Sequence, residues 1–390
     1  MGLIAGRMRL LAFVTAALLL AAPARAALPP AQIAALKAAA TTSLVQRHVP
    51  SVVIAVDRNG VRQYAGAWGF RNLADRLPAN VDTLYEYGSI TKQFTAAAIM
   101  LLAQDGKLKL DTDVGTYFPQ FANRGITIAD LLIHDSGIPD YLTDDFGMQT
   151  APLPFAGPDV GIAWAAKQPL DFPVGTKAQY SNTGYTMLAR IVEKVSGKPF
   201  EAFLHDRLIA PAGMRTARGY RMLAPTPNMA LGYQEWTKAL AAYDPSGSQG
   251  GVVGSLINAL PWNLRDADGA GYLVGDAADL QAWGNALLAG KLLHGKWRAI
   301  YFSKGKLKDG SPAYTGPENP GKVRAAYCYG GLGIWSDRGY TIYGANGGTA
   351  GFSTFTATVP ALHLTVTTLT NLGQTTNASL TVPVIDALLE

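Results

Sequence analysis

The stretch "YGSITKQFTAAAIMLLAQDG", Tyr87 to Gly106, decides how the rest of the chain is read. From Phe94 to Ala103 it is apolar almost without a break, which predicts a helix buried on most sides and central in the fold. Asp105-Gly106 supplies its stop. Ser89 and Lys92 stand three residues apart at its start, and positions i and i+3 share one helix face, so hydroxyl and ammonium can meet. Burial disfavours the charged amine, and the positive end of the helix dipole acts in the same direction. A neutral amine can take the proton of a serine hydroxyl, which predicts a nucleophile and its base. The ordinary alternative is a Ser N-cap followed by a surface lysine. Spacing alone does not separate the two, because Ser303 and Lys306 repeat it in "YFSKGKLKDG". There Gly305 and a polar turn predict solvated loop. The buried helix behind Lys92 makes the difference.

Composition bounds the rest. At 390 residues and 48% hydrophobic content the chain can pack a large core as one domain or two. Its first 26 residues combine Arg7 and Arg9, an apolar run from Leu10 to Ala22 and "ARA" at Ala24–Ala26. That pattern predicts a signal peptide cleaved after Ala26, hence a periplasmic or secreted protein with no stable membrane span. Cleavage would leave 30 basic and 28 acidic residues, a net charge of +2. With no Lys/Arg block to track phosphates, nucleic acid is not an expected partner. Cys328 is the single cysteine, so no internal disulfide is expected, and "AAYCYGG" predicts a small buried strand residue. The five histidines (His48, His134, His205, His294, His363) show no i, i+4 pair and no H-E-x-x-H, so neither a metal nor another cofactor is expected. No G-x-S-x-G elbow occurs. His134, in "LLIHDSG", is expected to be a hydrogen-bonded helix-end residue.

"PPAQIAALKAAATTSLVQRHV" predicts a surface helix, and "SVVIAV" and "VRQYAGAWGF" are β-rich runs joined through Asn59-Gly60, a hairpin signal. Helical patterns dominate from about Thr91 to Leu293. Strand signals return in "YGGLGIWS", "YTIYGANGG", "FSTFTATVP" and "LHLTVTTLTN", before a closing helix "SLTVPVIDALLE". Strands at both ends with helices between predict one antiparallel sheet built from the two termini, an α/β (α+β) architecture. The irregular stretches Tyr141–Pro158 and Asp244–Asn263 are expected to choose substrate.

Two further clusters carry chemistry. In "FPVGTKAQYSNTGYTMLARIVEKVSG", Tyr180 and Asn182 open a helix two residues apart and can project to a common point. Tyr180 offers an acid or base if positive charge lowers its pKa, and Asn182 can accept from Lys92 while donating to a carbonyl. A helix cap with an aromatic staple is the plainer reading. In "YGANGGTAGFSTF" the glycines imply close approach to the backbone, and the Gly348 amide can pair with that of Ser89 around an oxyanion. A bulge or hairpin reads equally well.

In this order, Ser-x-x-Lys, Tyr-x-Asn and a glycine-rich late strand resemble the penicillin-recognising serine hydrolases: class C β-lactamases, DD-carboxypeptidases, D-aminopeptidases and related esterases. Supporting phrases are "YEYGSITKQFTA", "ITIADLLIHDSGIPDY", "GAGYLVGDAADLQAW" and "GGTAGFST". The resemblance implies a five-stranded antiparallel sheet flanked by helices over residues 27–107 and 266–390, with an inserted all-helical subdomain at about 108–265. It also implies Ser89 as acylated nucleophile, Lys92 as the group that deprotonates it and Tyr180 as proton shuttle. Asn182, Asn346, Gly347, Gly348 and Thr349 would bind substrate, with the Ser89 and Gly348 amides as oxyanion hole. One departure stands out: relatives carry Lys or His where this chain has Ala345. An uncharged ester would suffer least from that loss. The readings left open are an esterase or D-amino-acid amidase/peptidase, a DD-peptidase or β-lactamase with Lys177 or Arg324 replacing the missing cation, and an inactive peptidoglycan-binding or partner-binding relative.

Overall fold

The computed structural model describes residues 27–142, 157–220, 226–235, 252–253, 256–259, 267–315, 324–373 and 378–390. The expected signal peptide lies outside the described residues, as does most of the two loops expected to choose substrate.

Helix α1 (Pro30–Gln46) precedes β1 (Ser51–Arg58) and β2 (Val61–Asn72). Asn59 and Gly60 join them at φ of 53° and 72°, the left-handed pair whose twist matches a two-residue hairpin. After β3 (Leu77–Pro78) a 3₁₀ turn, Gly88–Ile90, runs into α2 (Thr91–Gln104). Among the helices further along are α3 (Asn182–Ser196) and α4 (Ala277–Leu288). The strands β4 (Ala326–Tyr327), β5 (Gly333–Asp337), β6 (Tyr340–Gly348), β7 (Ser353–Val359) and β8 (Leu364–Thr370) follow, and α5 (Ala378–Leu389) closes the chain.

These strands make one antiparallel sheet in the order β4-β5-β6-β7-β8-β1-β2-β3. The termini meet through β1 and β8, with Val52 opposite Thr370 and Val56 opposite Val366. Both faces are covered, so β1 reads as a continuous apolar run. Val53 and Ala55 belong to the core that holds α2, whereas Val52, Ile54 and Val56 share a second core with residues of α1 and α5.

Two expectations need correction. The sheet has eight strands among the described residues, not five. The six runs read as strands are all present; β3 and β4, at two residues each, are too short to show alternation. Nor is the region 108–265 all helical. Arg218–Gly219 pairs with Leu273–Gly275, and Leu256–Asn258 lies between Tyr233–Glu235 and Val252–Val253. Such two- and three-residue pieces among glycines and prolines leave no periodic signal.

Helix α2 is the spine. Every residue from Thr91 to Ala103 is buried. Phe94 stacks on Trp283 of α4, ring centroids 4.0 Å apart, and the Trp283 indole N–H donates to Gln93 at 3.0 Å. Phe94, Ile99, Met100, Leu101 and Leu102 are at most 3% exposed. At roughly 1.5–3 kcal/mol for each large apolar side chain, their burial outweighs the cost of carrying a lysine on the same helix.

Candidate active site

The Ser89 turn is fixed from three sides. Tyr87 N–H donates to Leu273 O at 2.8 Å, and the Tyr87 hydroxyl donates to Asp276 O at 2.6 Å. The Thr354 hydroxyl of β7 lies 3.0 Å from Tyr87 O and 3.2 Å from Gly347 O, which ties the end of β6 to the turn. From Ala345 onward β6 has no β5 residue opposite it, because their pairing ends at Gly333 and Gly344. A cleft of about 690 Å³ opens beside that free edge.

Ser89, Lys92, Tyr180 and Asn182 converge in this cleft. Lys92 is 2% exposed, and its Nζ has three polar neighbours: Asn182 Oδ1 and Ala270 O, both at 2.8 Å, and Ser89 Oγ at 3.2 Å. Two of these are carbonyl oxygens, which only accept. A neutral amine has two hydrogens and one lone pair, so the carbonyls take both hydrogens and the lone pair is left to Ser89. The Tyr180 hydroxyl donates to Ser89 Oγ at 2.6 Å, leaving the serine's own hydrogen free to point at Nζ. Desolvation pushes the Lys92 pKa down from 10.5 to about 7, against an opposing pull from Asp140. An amine of that acidity is free to accept a proton near neutrality.

Tyr180 differs from the sequence expectation. The residue is 38% exposed, yet burial around its hydroxyl drives the phenol pKa upward, not down. Lys92 Nζ lies 4.6 Å from its ring centroid, and no arginine or other lysine lines the described cleft. Tyr180 is therefore a neutral O–H donor at rest. His134 also lines the cleft. It follows the short helix Ile128–Leu132 at φ 63°, its Nδ1 accepts from Ser181 N–H at 3.1 Å, and its ring lies 4.8 Å from that of Tyr180. Burial, with Lys92 nearby, holds it well below its usual pKa, so it is a neutral support for the Tyr180 turn.

The third cluster divides. Asn346, Gly348 and Thr349 line the cleft, as does half-buried Ala345. Gly347 does not: it is buried with its backbone against the Tyr87 carbonyl, where a side chain would collide. Its part is to let β6 approach the Ser89 turn, which corrects its assignment to substrate binding. Lys177 lies over the Phe172 ring at 4.9 Å and Arg324 over Tyr314 at 4.3 Å. Neither lines the cleft. Cys328 is buried, with its thiol pKa pushed up to about 11.

Sequence reading missed several contributors. Asp140 Oδ2 accepts from Asn182 N–H at 3.0 Å and from its side-chain amide at 2.9 Å. Ala270 O holds Lys92, and Gly269 at φ 77° lets that turn lie against α3; the phrase "GAGYL" carried this signal unread. Trp335 and Phe355 add aromatic lining through Gly344, where a Cβ would stand 2.8 Å from the Trp335 ring.

A sheet closed by both termini, with serine, lysine and tyrosine meeting where a buried helix begins at its edge, defines the penicillin-recognising serine hydrolase class. The chain belongs to the beta-lactamase family, whose sequence model matches residues 31–388. It is 32% identical over 186 residues to penicillin-binding protein 4* of Bacillus subtilis, covering 47% of this chain and 41% of that protein. To the putative penicillin-binding protein PbpX of B. subtilis it is 29% identical over 250 residues, 64% of this chain and 57% of the other. The chain thus spans about half the length of the curated relatives it matches. Among solved structures, the D-amino acid amidase of Ochrobactrum anthropi SV3 superposes with a TM-score of 0.75 at 22% identity, covering 92% of this chain and 98% of the amidase. EstCE1, a hydrolase with promiscuous acyltransferase activity, gives 0.72 at 19%, covering 92% and 99%. Among the described residues no helix is long and apolar enough to cross a membrane.

Proposed function

We propose that this chain is an exported hydrolase that passes through an acyl-Ser89 intermediate and acts on uncharged esters or D-amino-acid amides. The observation that carries this is the set of partners around Lys92 Nζ, two carbonyl oxygens at 2.8 Å and Ser89 Oγ at 3.2 Å, with which a neutral amine gives both N–H groups to the carbonyls and keeps its lone pair for Ser89. Ser89 Oγ attacks the carbonyl carbon as its proton moves to Lys92 Nζ. The Ser89 and Gly348 amides hold the oxyanion, since β6 packs against the turn. Collapse expels the alcohol or amine. The leaving group takes the Tyr180 proton, and the Lys92 ammonium restores it. Water then attacks the acyl-serine, giving its proton to the Tyr180–Lys92 pair while Ser89 Oγ leaves with one. Incubation with esters, D-aminoacyl amides and β-lactams, followed by intact-mass measurement and peptide mapping, is expected to give an acyl adduct on Ser89. No adduct with any of them would favour the inactive, partner-binding reading.

Ala345 supports the uncharged substrate, because no lysine or histidine stands there to receive a carboxylate. Ala345→Lys is expected to raise acylation by a fluorescent penicillin at least tenfold relative to ester turnover, as one charge-assisted contact in a partly enclosed site allows. Labelling rates of the two proteins check this; equal rates would remove Ala345 as the determinant.

The oxyanion assignment makes a separate prediction at Gly88. Its φ is 53°, and a Cβ there would stand 2.8 Å from Gly348 N and 2.9 Å from Gly348 O. Gly88→Ala is expected to cost roughly 1–2 kcal/mol for the backbone alone. By forcing the two amides apart it should also lower kcat at least tenfold. Thermal melting and ester kinetics read the two effects separately.

A further inference from the structure

We infer that Asp140 is a positioning residue that dictates which end of the Asn182 amide faces Lys92, and so keeps the lysine's lone pair available to Ser89. The inference rests on the acyl-Ser89 reading above and deepens it.

A primary amide has two nearly isosteric ends, one accepting and one donating. If Asn182 presented Nδ2 to Lys92, that N–H group would seek the amine's lone pair, and the base would be occupied by a donor that is not the nucleophile. Only Oδ1 leaves the lone pair for Ser89. What selects Oδ1 is a carboxylate on the opposite side. Asp140 is 6% exposed, and its Oδ2 accepts from both the backbone N–H and the Nδ2 group of Asn182, at 3.0 and 2.9 Å. A carboxylate cannot donate, so a flipped amide would set its carbonyl oxygen against a negative oxygen at hydrogen-bond distance. The chain relay is therefore directional: Asp140 fixes Asn182, Asn182 fixes the hydrogens of Lys92, and Lys92 faces Ser89.

The Asp140 carboxyl is itself held by local geometry. Leu142 N–H donates to its Oδ1 at 3.0 Å. Flanking contacts brace the same loop against α3: the Thr183 hydroxyl donates to Pro139 O at 2.8 Å, and Tyr141 N–H donates to Thr183 at 3.0 Å. Both oxygens of Asp140 thus serve backbone or amide donors, and the "IPDY" segment is locked to the start of the helix that carries Asn182.

Asp140 also has an electrostatic effect, since its charge favours the ammonium and partly opposes desolvation at Lys92. The other titratable groups around Lys92 are neutral near pH 7: His134 is held far below its usual pKa, and Tyr180, Tyr185, Tyr327 and Cys328 are all raised. Glu86, half-buried beside Thr349 and pushed up to about 7 by burial, is the other group whose charge changes near neutrality, so the pH profiles of the Asp140 variants are compared in a Glu86→Gln background.

Two variants separate this from a merely structural role. Asp140→Asn keeps an acceptor but removes the charge. The acidic limb of kcat/KM against pH should move about one unit lower, the size of a neighbouring-charge effect. Asp140→Ala removes the acceptor and frees the amide to flip, and kcat should fall about 10–100-fold with KM little changed. In an Asn182→Ala background the kcat loss from Asp140→Ala should shrink to less than threefold, because the group through which it acts is gone. Additive losses, together with an unmoved acidic limb in Asp140→Asn, would overturn the inference. Absence of a Ser89 adduct in the wild-type chain would instead overturn the underlying reading.

Discussion

Replacing Ser89 by Ala is expected to abolish turnover of a short-chain chromogenic ester and to leave no acyl adduct in the intact mass. Loss of a serine nucleophile in a hydrolase costs on the order of a millionfold in kcat, as the subtilisin precedent indicates, so residual activity should sit at background. The fold should survive. Ser89 is half-buried, and the change removes one hydroxyl bonded to Tyr180 at 2.6 Å and set 3.2 Å from Lys92. With water able to enter the cleft and take up those partners, the stability change should stay within about 1–2 kcal/mol. The measurement pairs esterase kinetics with thermal melting. A variant that keeps ester turnover would mean that another group is acylated, and Ser303 has no claim: its hydroxyl donates to Ile300 O at 2.8 Å. A variant that fails to melt cooperatively would call for Ser89→Cys, which keeps a group of similar size at the position.

Why Ser89 and Lys92 were legible while Asp140 was not follows from sequence distance. The serine and lysine lie on one turn and are followed by an apolar run, so local periodicity carries both the pairing and the burial. Tyr180 and Asn182 could be placed through their own helix start, where Ser181 accepts from Gly184 N–H as the cap. The meeting of Tyr180 with Ser89, 91 positions away, came only from resemblance. Asp140 touches Asn182 across 42 positions and sits in a loop with no periodic signal. The Ala270 carbonyl lies 178 positions from Lys92 and belongs to the backbone, which sequence identity does not single out. The direction of the Tyr180 pKa was equally hidden. It depends on how densely side chains crowd the ring, among them His134 and Tyr327, with centroids 4.8 and 6.5 Å away. In the fold, long strands with buried faces were readable, and two-residue edge strands were not.

Replacement of Lys92 is expected to change chemistry and stability together. With its pKa near 7, kcat/KM should rise tenfold per pH unit below about pH 7 and level off above it, as the free amine becomes the resident form. Glu86, half-buried beside Thr349, is also pushed up to about 7 by burial, so the limb must be assigned by substitution. It should persist in Glu86→Gln. Lys92→Met should remove at least a thousandfold of kcat. The same substitution should nevertheless stabilise the fold at low pH. A drop from 10.5 to about 7 corresponds to about 5 kcal/mol against the charged form, at 1.36 kcal/mol per unit. The sign follows from proton counting. Between pH 7 and 10.5 the unfolded lysine holds a proton that the folded one has lost, so wild-type stability rises with pH across that window. Below pH 7 both states are protonated and the full penalty is present; above 10.5 it is gone. Methionine carries no such penalty but forfeits the bonds to Asn182 and Ala270, about 1 kcal/mol each with some further cost for carbonyls left bare. The balance predicts a higher melting temperature for Lys92→Met at pH 6, with an advantage that shrinks toward pH 9. A melting-temperature difference that stays flat with pH would mean that the amine keeps an ordinary pKa. It could then not serve as the base for Ser89 at neutral pH.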